Sequence, residues 1–188
     1  MGSGLGSSAA LCVAVARFAL WYRNAKSDLL ECLALATHLE DTFHGKSSGM
    51  DVTVVATGEP IAYTRKNGGE RYLQGGKLPR FELIDTGARG KTKECVALVE
   101  KAENLDAQMA RASEIARAAL LSFDESPKES EKQLIEAMKL GESCFESWGL
   151  VSPELIKQKE RILNEGALAV KMTGAGLGGF WVALYPSS

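Results

Sequence analysis

The chain has 188 residues, of which 45% are apolar and 24% charged, with a formal net charge of -2. That is the composition of a globular protein with one good-sized core or two small ones, and the absence of a Lys/Arg stripe argues against a nucleic-acid partner. Cys12, Cys32, Cys95 and Cys144 lie far apart with no CxxC pair, the pattern of reduced, buried thiols in a cytoplasmic protein.

The chain opens on a glycine-serine segment, Gly4-Leu5-Gly6-Ser7-Ser8, and runs into an Ala-rich stretch that predicts a helix from about Ser8 to Arg23. This helix is apolar almost all round and is therefore expected to be central. Its apolar run, Leu11 to Trp21, is broken by Arg17 and falls far short of a ~20-residue membrane span, so no membrane segment is expected. It also lacks the basic lead-in and cleavage site of a signal peptide. Ser27-Asp28 offers an N-cap for a second helix reaching about Asp41. A loop, His44 to Asp51, and a short apolar stretch, Val52 to Ala56, follow.

Ile61 and Tyr63, a turn at Asn67-Gly68 and a return at Tyr72-Leu73 predict a β-hairpin. Phe81, Leu83 and Ile84 predict a strand ending at Asp85. From Thr92 to Trp148 the pattern is helical with one break near Ser126-Pro127. Ser152-Pro153 starts another helix that Gly166 closes. The chain ends as strand, glycine turn, strand, with Thr173-Gly174-Ala175-Gly176-Leu177-Gly178-Gly179 as the turn. The fold class is α+β in two parts, 1–80 and 81–188.

Three stretches carry chemistry. Gly4 to Ala10 can turn its N–H groups inward at a helix N-terminus, a nest for phosphates, with a serine able to ligate Mg²⁺. The Walker spacing is absent, and the same residues read equally well as a linker. In the second helix, Leu29, Leu33, Ala36 and Glu40 share one face, which puts Glu40 on the apolar stripe. An inward carboxylate needs a cation or a basic partner; a solvated Glu on a fraying last turn is the alternative. Asp51 closes a glycine-containing loop at a helix start, where it suits a base for a substrate hydroxyl or, more plainly, a cap. The last turn holds more glycine than a hairpin needs. Close approach of its backbone to a ligand, or to the first loop, explains that better.

Taken in this order, Gly4 to Ala10, Glu40, the H-G-x-x-S-G-x-D form of His44 to Asp51, and Thr173 to Gly179 resemble the signature of the GHMP kinases, and among these most closely the mevalonate kinases. The stretch from Asp85 to Val96 also resembles the start of their C-terminal domain. The resemblance implies the remainder of an N-terminal α/β domain followed by a C-terminal α+β, ferredoxin-like domain, and ATP-dependent phosphorylation of the mevalonate 5-hydroxyl. By carry-over, Ser8 and Glu40 hold Mg²⁺ and Asp51 serves the attacking hydroxyl. Gly4, Leu5, Gly6, Ser7, Ser8 and Ala9, with Thr173, Gly174, Ala175 and Gly176, surround the ATP phosphates, and Thr92 lies near the substrate.

Three departures stand out. Ser47 replaces a usual proline, which is expected to loosen the Asp51 loop modestly. Leu177 replaces a glycine, so a side chain must be accommodated there. Family members also carry a long segment before the phosphate loop, supplying sheet strands, nucleoside pocket and part of the acceptor site. Its absence from this sequence implies that these residues alone are inactive, with a homo-oligomer or a complementing N-terminal segment as partner. Another GHMP kinase, acting on phosphomevalonate or a sugar, and a non-catalytic fragment are the alternatives.

Overall fold

The computed structural model describes residues 5–23, 28–44, 47–58, 61–64, 68–71, 79–123 and 125–186. The chain divides into two compact units, Gly6–Gln74 and Gly75–Ser188.

The first unit holds α1 (Ser7–Tyr22), α2 (Leu29–His44), α3 (Met50–Thr57) and an antiparallel hairpin of β1 (Ile61–Thr64) and β2 (Gly68–Arg71). Asn67 and the return at Tyr72-Leu73 lie outside the described residues. The Asp28 carboxylate accepts the Leu30 N–H at 3.1 Å and opens α2 as an Asp cap should. The core is built of small side chains: Ala9, Cys12, Val13, Ala16 and Leu20 from α1 meet Cys32 and Ala36 from α2 and Val52 and Ala56 from α3. Helices contacting through alanine and cysteine can bring their axes close together. Arg17, which interrupts the apolar run of α1, donates to the Ala56 carbonyl at 2.8 Å. That carbonyl sits in the last turn of α3, where helical acceptors are otherwise unfilled and a cation is favoured.

The described elements cover only one face of α1. Leu11, Val15, Phe18 and Tyr22 are exposed, Phe18 at 61% and Tyr22 at 75%. Their spacing of four, three and four residues places them on one outer stripe, opposite the face that α2 and α3 bury. Phe18 contacts both Trp21 and Tyr22 along this stripe, with ring centroids 5.8 and 6.3 Å apart.

The second unit runs β3 (Phe81–Asp85), α4 (Thr92–Val99), α5 (Asp106–Leu121), α6 (Pro127–Ser147), α7 (Pro153–Asn164), β4 (Ala169–Met172) and β5 (Phe180–Leu184). The strands form an antiparallel sheet ordered β3-β5-β4. Alternation along β4 and β5 gives the sheet two apolar faces. Val170, Met172, Trp181 and Ala183 pack with Leu155 and Ile162 of α7 and Cys95 of α4. Ala169 and Leu184 pack with Ala119 of α5 and with Leu134 and Met138 of α6.

The helical stretch from Thr92 to Trp148 has two breaks where the sequence predicted one. The additional break separates α4 from α5. There the Asn104 side chain accepts the Asp106 N–H at 2.9 Å, and the Trp148 indole N–H donates to the Glu103 carbonyl at 3.0 Å. The break near Ser126-Pro127 is present, as is the start of α7, where the Ser152 hydroxyl accepts the Leu155 N–H. Among the described residues no helix is long and apolar enough to cross a membrane. The four cysteines are buried and free.

Candidate active site

In the first unit the sequence-predicted residues converge. Gly6 takes a left-handed conformation, with φ of 65°, and is the N-cap of α1, where it has no side chain to cap the helix, so the positive end of the helix begins at Ser7. Ser8, in that first turn, donates its hydroxyl to Glu40 Oε1 at 3.2 Å. Glu40 is 4% exposed and α2 continues past it to His44, which removes the reading of a solvated residue on a fraying turn. The Cys12 thiol is pushed up from its ordinary value by burial first and by the nearby Glu40 carboxylate second. The structure therefore brings together a serine hydroxyl, a buried carboxylate and a helix N-terminus. Gly4 lies outside the described residues, and Leu5 is exposed.

Asp51 belongs to the same neighbourhood. A β-carbon built on Gly6 would stand 3.7 Å from Asp51 Cβ and 3.9 Å from its Cγ. Asp51 is exposed and lies in the first turn of α3, inside the helix. The N-cap of α3 is Gly49, which makes no side-chain cap bond, and Ser48 Oγ accepts the Met50 N–H at 3.2 Å. Capping thus does not account for Asp51, whose carboxylate remains available at the site.

The loop before α3 is fixed by residues that sequence reasoning did not single out. Tyr63 of β1 donates its hydroxyl to the Ser48 carbonyl at 2.7 Å. A β-carbon at Gly49 would fall 2.7 Å from that same hydroxyl, and Gly49 has φ of 80°, so glycine is required on both counts. Ser47 donates its N–H to Asp41 Oδ1 at 2.7 Å. A proline has no N–H to offer there, so the substitution expected to loosen the loop instead ties it to α2. No local pattern could reveal the Tyr63 contact, since tyrosine and loop meet only through the hairpin.

In the second unit the glycine turn lies against its own unit's backbone. Gly179 N–H donates to the Ala88 carbonyl at 2.9 Å, and Thr86 returns both its N–H and its hydroxyl to the Gly179 carbonyl. A β-carbon on Gly178 would sit 2.5 Å from Ala88 backbone atoms, and one on Gly176 would sit 2.7 Å from Leu150 Cβ. The close approach expected of these glycines is therefore to Thr86–Gly90 and Leu150. Leu177 is the one non-glycine residue with positive φ, 56°, among the described residues, and it is held there by its N–H to the Leu150 carbonyl at 2.7 Å. The Cys95 thiol of α4 donates to the Gly176 carbonyl at 3.5 Å. Thr92, exposed at the start of α4, lies three residues before Cys95, so this helix end adjoins the turn.

Family models for the GHMP kinases match this sequence at both ends, the N-terminal domain over residues 1–59 and the C-terminal domain over residues 116–188. The chain belongs to the GHMP kinases. Among curated relatives, a mevalonate kinase of Aeropyrum pernix is 31% identical over 97% of this chain, and one of Thermococcus onnurineus is 33% identical over 99%. The chain spans 57% of the length of each of these relatives. In three dimensions it resembles the mevalonate kinase of L. major solved with R-mevalonate, with a TM-score of 0.77 and 27% identity, covering 100% of this chain and 59% of that one. A Lactococcus lactis galactokinase shares the fold at 19% identity, with a TM-score of 0.73, covering 98% of this chain and 58% of that one. This GHMP kinase chain thus has the family's folds in both units.

Whether a divalent cation fits can be judged from the donors. Ser8 and Glu40 offer hard oxygen atoms at one point, and Glu40 is buried with no basic partner among the described residues. Among these residues no group of three or more His, Cys, Asp or Glu side chains could hold a metal by itself. Mg²⁺ in phosphoryl-transfer sites takes one or two protein oxygens and completes its shell with substrate phosphates and water, and this donor set fits that demand.

Proposed function

We propose that this chain forms the larger part of a mevalonate kinase, transferring the terminal phosphoryl group of ATP to the 5-hydroxyl of mevalonate. The observation that carries the reading is the meeting of the Ser8–Glu40 pair, the N-terminus of α1 and Asp51 within one unit. The relatives named mevalonate kinase supply the acceptor.

In this reading Ser8 and Glu40 hold Mg²⁺, which when bound supplies positive charge against the phosphate oxygens. Gly4, Leu5, Gly6, Ser7 and Ala9 present backbone N–H groups to phosphate at the positive end of α1. In the second unit, Thr173, Gly174, Ala175 and Gly176 present the backbone of an open turn for the same purpose. Asp51 accepts the proton of the acceptor hydroxyl as its oxygen bonds to phosphorus and the bond to the leaving diphosphate breaks. Thr92 contacts the acceptor. Positioning and charge neutralisation do most of the work, since the protein forms no covalent bond to substrate. A cytoplasmic site of action belongs to the same proposal, supported by the four buried free thiols.

An acceptor panel tests the proposal. With the chain extended to its relatives' length by a homologous N-terminal segment, ATP-dependent transfer is measured to mevalonate, phosphomevalonate, galactose and homoserine. The expected kcat/KM for mevalonate exceeds the others by about 100-fold or more. Faster transfer to another acceptor replaces the acceptor assignment while leaving the kinase reading in place.

A further inference from the structure

Glu142 is a carboxylate in the wrong place for an ordinary helix residue. It lies on α6, is 3% exposed, and its Oε1 has no hydrogen-bond partner among the described residues. Its Oε2 accepts the Met172 N–H at 2.9 Å. From the other side, Lys171 Nζ donates to the Met172 carbonyl at 2.9 Å. One carboxylate and one ammonium thus grip the two polar groups of a single residue.

Sheet topology explains why Met172 needs them. β4 is an edge strand, paired with β5 alone. The next residue, Thr173, donates its N–H to the Phe180 carbonyl on the β5 side, so the groups of Met172 alternate outward to the unpaired edge. Left without partners there, they would be buried and unsatisfied. Glu142 and Lys171 fill that edge with charge-assisted hydrogen bonds, which are shorter and stronger than neutral ones.

Lys171 reaches its position by a prepared path. Its ammonium lies 4.0 Å from the centroid of the Phe145 ring, a cation–π contact. Its stem crosses α6 at Gly141, where a β-carbon would stand 3.0 Å from Lys171 Cε and 3.9 Å from Met109 Sδ. A glycine in the middle of a 21-residue helix is otherwise unfavourable. Here it clears the way for the lysine.

We propose that Glu142 and Lys171 are positioning residues that clamp the Met172 peptide groups and so fix where the chain enters the Thr173–Gly179 turn. Neither need touch a substrate; they act through the backbone immediately before Thr173, whose own Oγ1 is buried and without a partner among the described residues. Burial pushes the Glu142 carboxyl up, against the Met172 hydrogen bond and then the Lys171 charge, and pushes the Lys171 ammonium down, against the Glu142 charge. The consequence for nucleotide binding rests on reading Thr173–Gly176 as a phosphate-binding turn.

The test uses the chain extended to its relatives' length. Glu142→Leu alone would leave Lys171 buried without a counter-charge, so the informative variant is E142L with K171M, which removes both charges and keeps bulk. Removing the two buried opposite charges together leaves neither of them uncompensated. The expected result is a variant that still melts cooperatively but some degrees lower, because the Met172 N–H and C=O lose their partners, with amide hydrogen exchange across Gly174–Gly179 faster by about tenfold or more. The KM for ATP rises by a similar factor, about tenfold, while kcat and the acceptor KM stay within about threefold. E142Q, which keeps an acceptor for the Met172 N–H, restores slow exchange. Wild-type exchange in the folded double variant overturns the clamp. Faster exchange with an unchanged ATP KM upholds the clamp and instead removes the turn from the phosphate site.

Discussion

The Ser8 hydroxyl donates to the Glu40 carboxylate across 3.2 Å, joining the first turn of α1 to a buried position of α2. A carboxylate removed from water without a basic partner is costly, and a serine hydroxyl repays little of that cost. A bound cation would repay far more. Glu40→Gln keeps the hydrogen bond and the volume but removes the charge. In the chain extended to its relatives' length it is expected to lower kcat by about 100-fold or more and to weaken the dependence of rate on Mg²⁺. Wild-type Mg²⁺ titration curves in the variant would take Glu40 out of the metal site.

Asp51 has a different signature. Since Asp51 lies inside the first turn of α3 and not at its N-cap, Asp51→Asn removes no N-cap and should leave the melting temperature within a few degrees. The rate of phosphoryl transfer should fall by about 100-fold or more, with ATP affinity little changed. Thermal scans and steady-state kinetics on the same preparation decide the matter. A large loss of stability alongside activity would show a structural role.

Gly49 and Tyr63 set the Asp51 loop, and their coupling can be measured. Gly49→Ala forces a β-carbon to 2.7 Å from the Tyr63 hydroxyl and places alanine at φ of 80°. A destabilisation of about 1–3 kcal/mol is expected. Tyr63→Phe alone loses one hydrogen bond, about 0.5–1.5 kcal/mol. In the double variant the clash is relieved and the backbone strain is not, so the combined loss should be smaller than the sum of the two. Strict additivity in denaturant melts would mean that the hydroxyl does not press on Gly49.

What could be read from the sequence was what depends on local period. The stripe of Leu29, Leu33, Ala36 and Glu40 foretold a buried carboxylate because helical spacing alone decides the face. Ser152-Pro153 foretold the start of α7 for the same local reason. The contacts that shape the loops were not legible. Tyr63 meets Ser48 from 15 residues away, Ser47 meets Asp41 from six, and Trp148 meets Glu103 from 45. The glycine turn was half legible: its composition announced a close approach, but Ala88 and Leu150 as the partners emerge only from the sheet. Glu142 and Lys171 carry no local signal, since their contacts depend on β4 being an edge strand.

Asp85 supplies a pH-dependent prediction at the base of the Thr86–Gly90 loop. Two hydrogen bonds from Arg89, at 2.7 and 2.8 Å, and one from the Gly87 N–H, at 2.9 Å, stabilise its ionised form. Arg89 first, and Gly87 second, hold its pKa down to about 2 from the ordinary 3.8. Because the folded value is the lower one, the stabilisation is present above the unfolded pKa and is lost as pH falls through about 2. The group is exposed, so solvent screening keeps the effect small. A carboxyl-carbon NMR titration should find the Asp85 midpoint near the lower value, and Arg89→Gln should return it towards 3.8. A wild-type midpoint at the ordinary value would mean the Arg89 contact is not held in solution.

The outer stripe of α1 carries the last prediction. Leu11, Val15, Phe18 and Tyr22 are exposed on a helix whose other face is fully packed. An aromatic side chain offers roughly 150–250 Å² for burial, and at about 25 cal/mol per Å² two mostly uncovered rings leave several kcal/mol unrealised. That is a sizeable share of a net stability of about 5–15 kcal/mol. Exposed apolar stripes of this kind find cover, either from another copy or from further polypeptide. The 188-residue chain by itself is therefore expected to self-associate at micromolar concentration, seen as a concentration-dependent mass by light scattering. Phe18→Ser with Tyr22→Ser should shift it towards monomer, since neither side chain belongs to the buried core of the unit. A homologous N-terminal segment added as a separate chain should have the same effect on the unaltered protein by covering the stripe. A monodisperse monomer whose thermal stability is unchanged by the two serine substitutions would show that the stripe needs no cover.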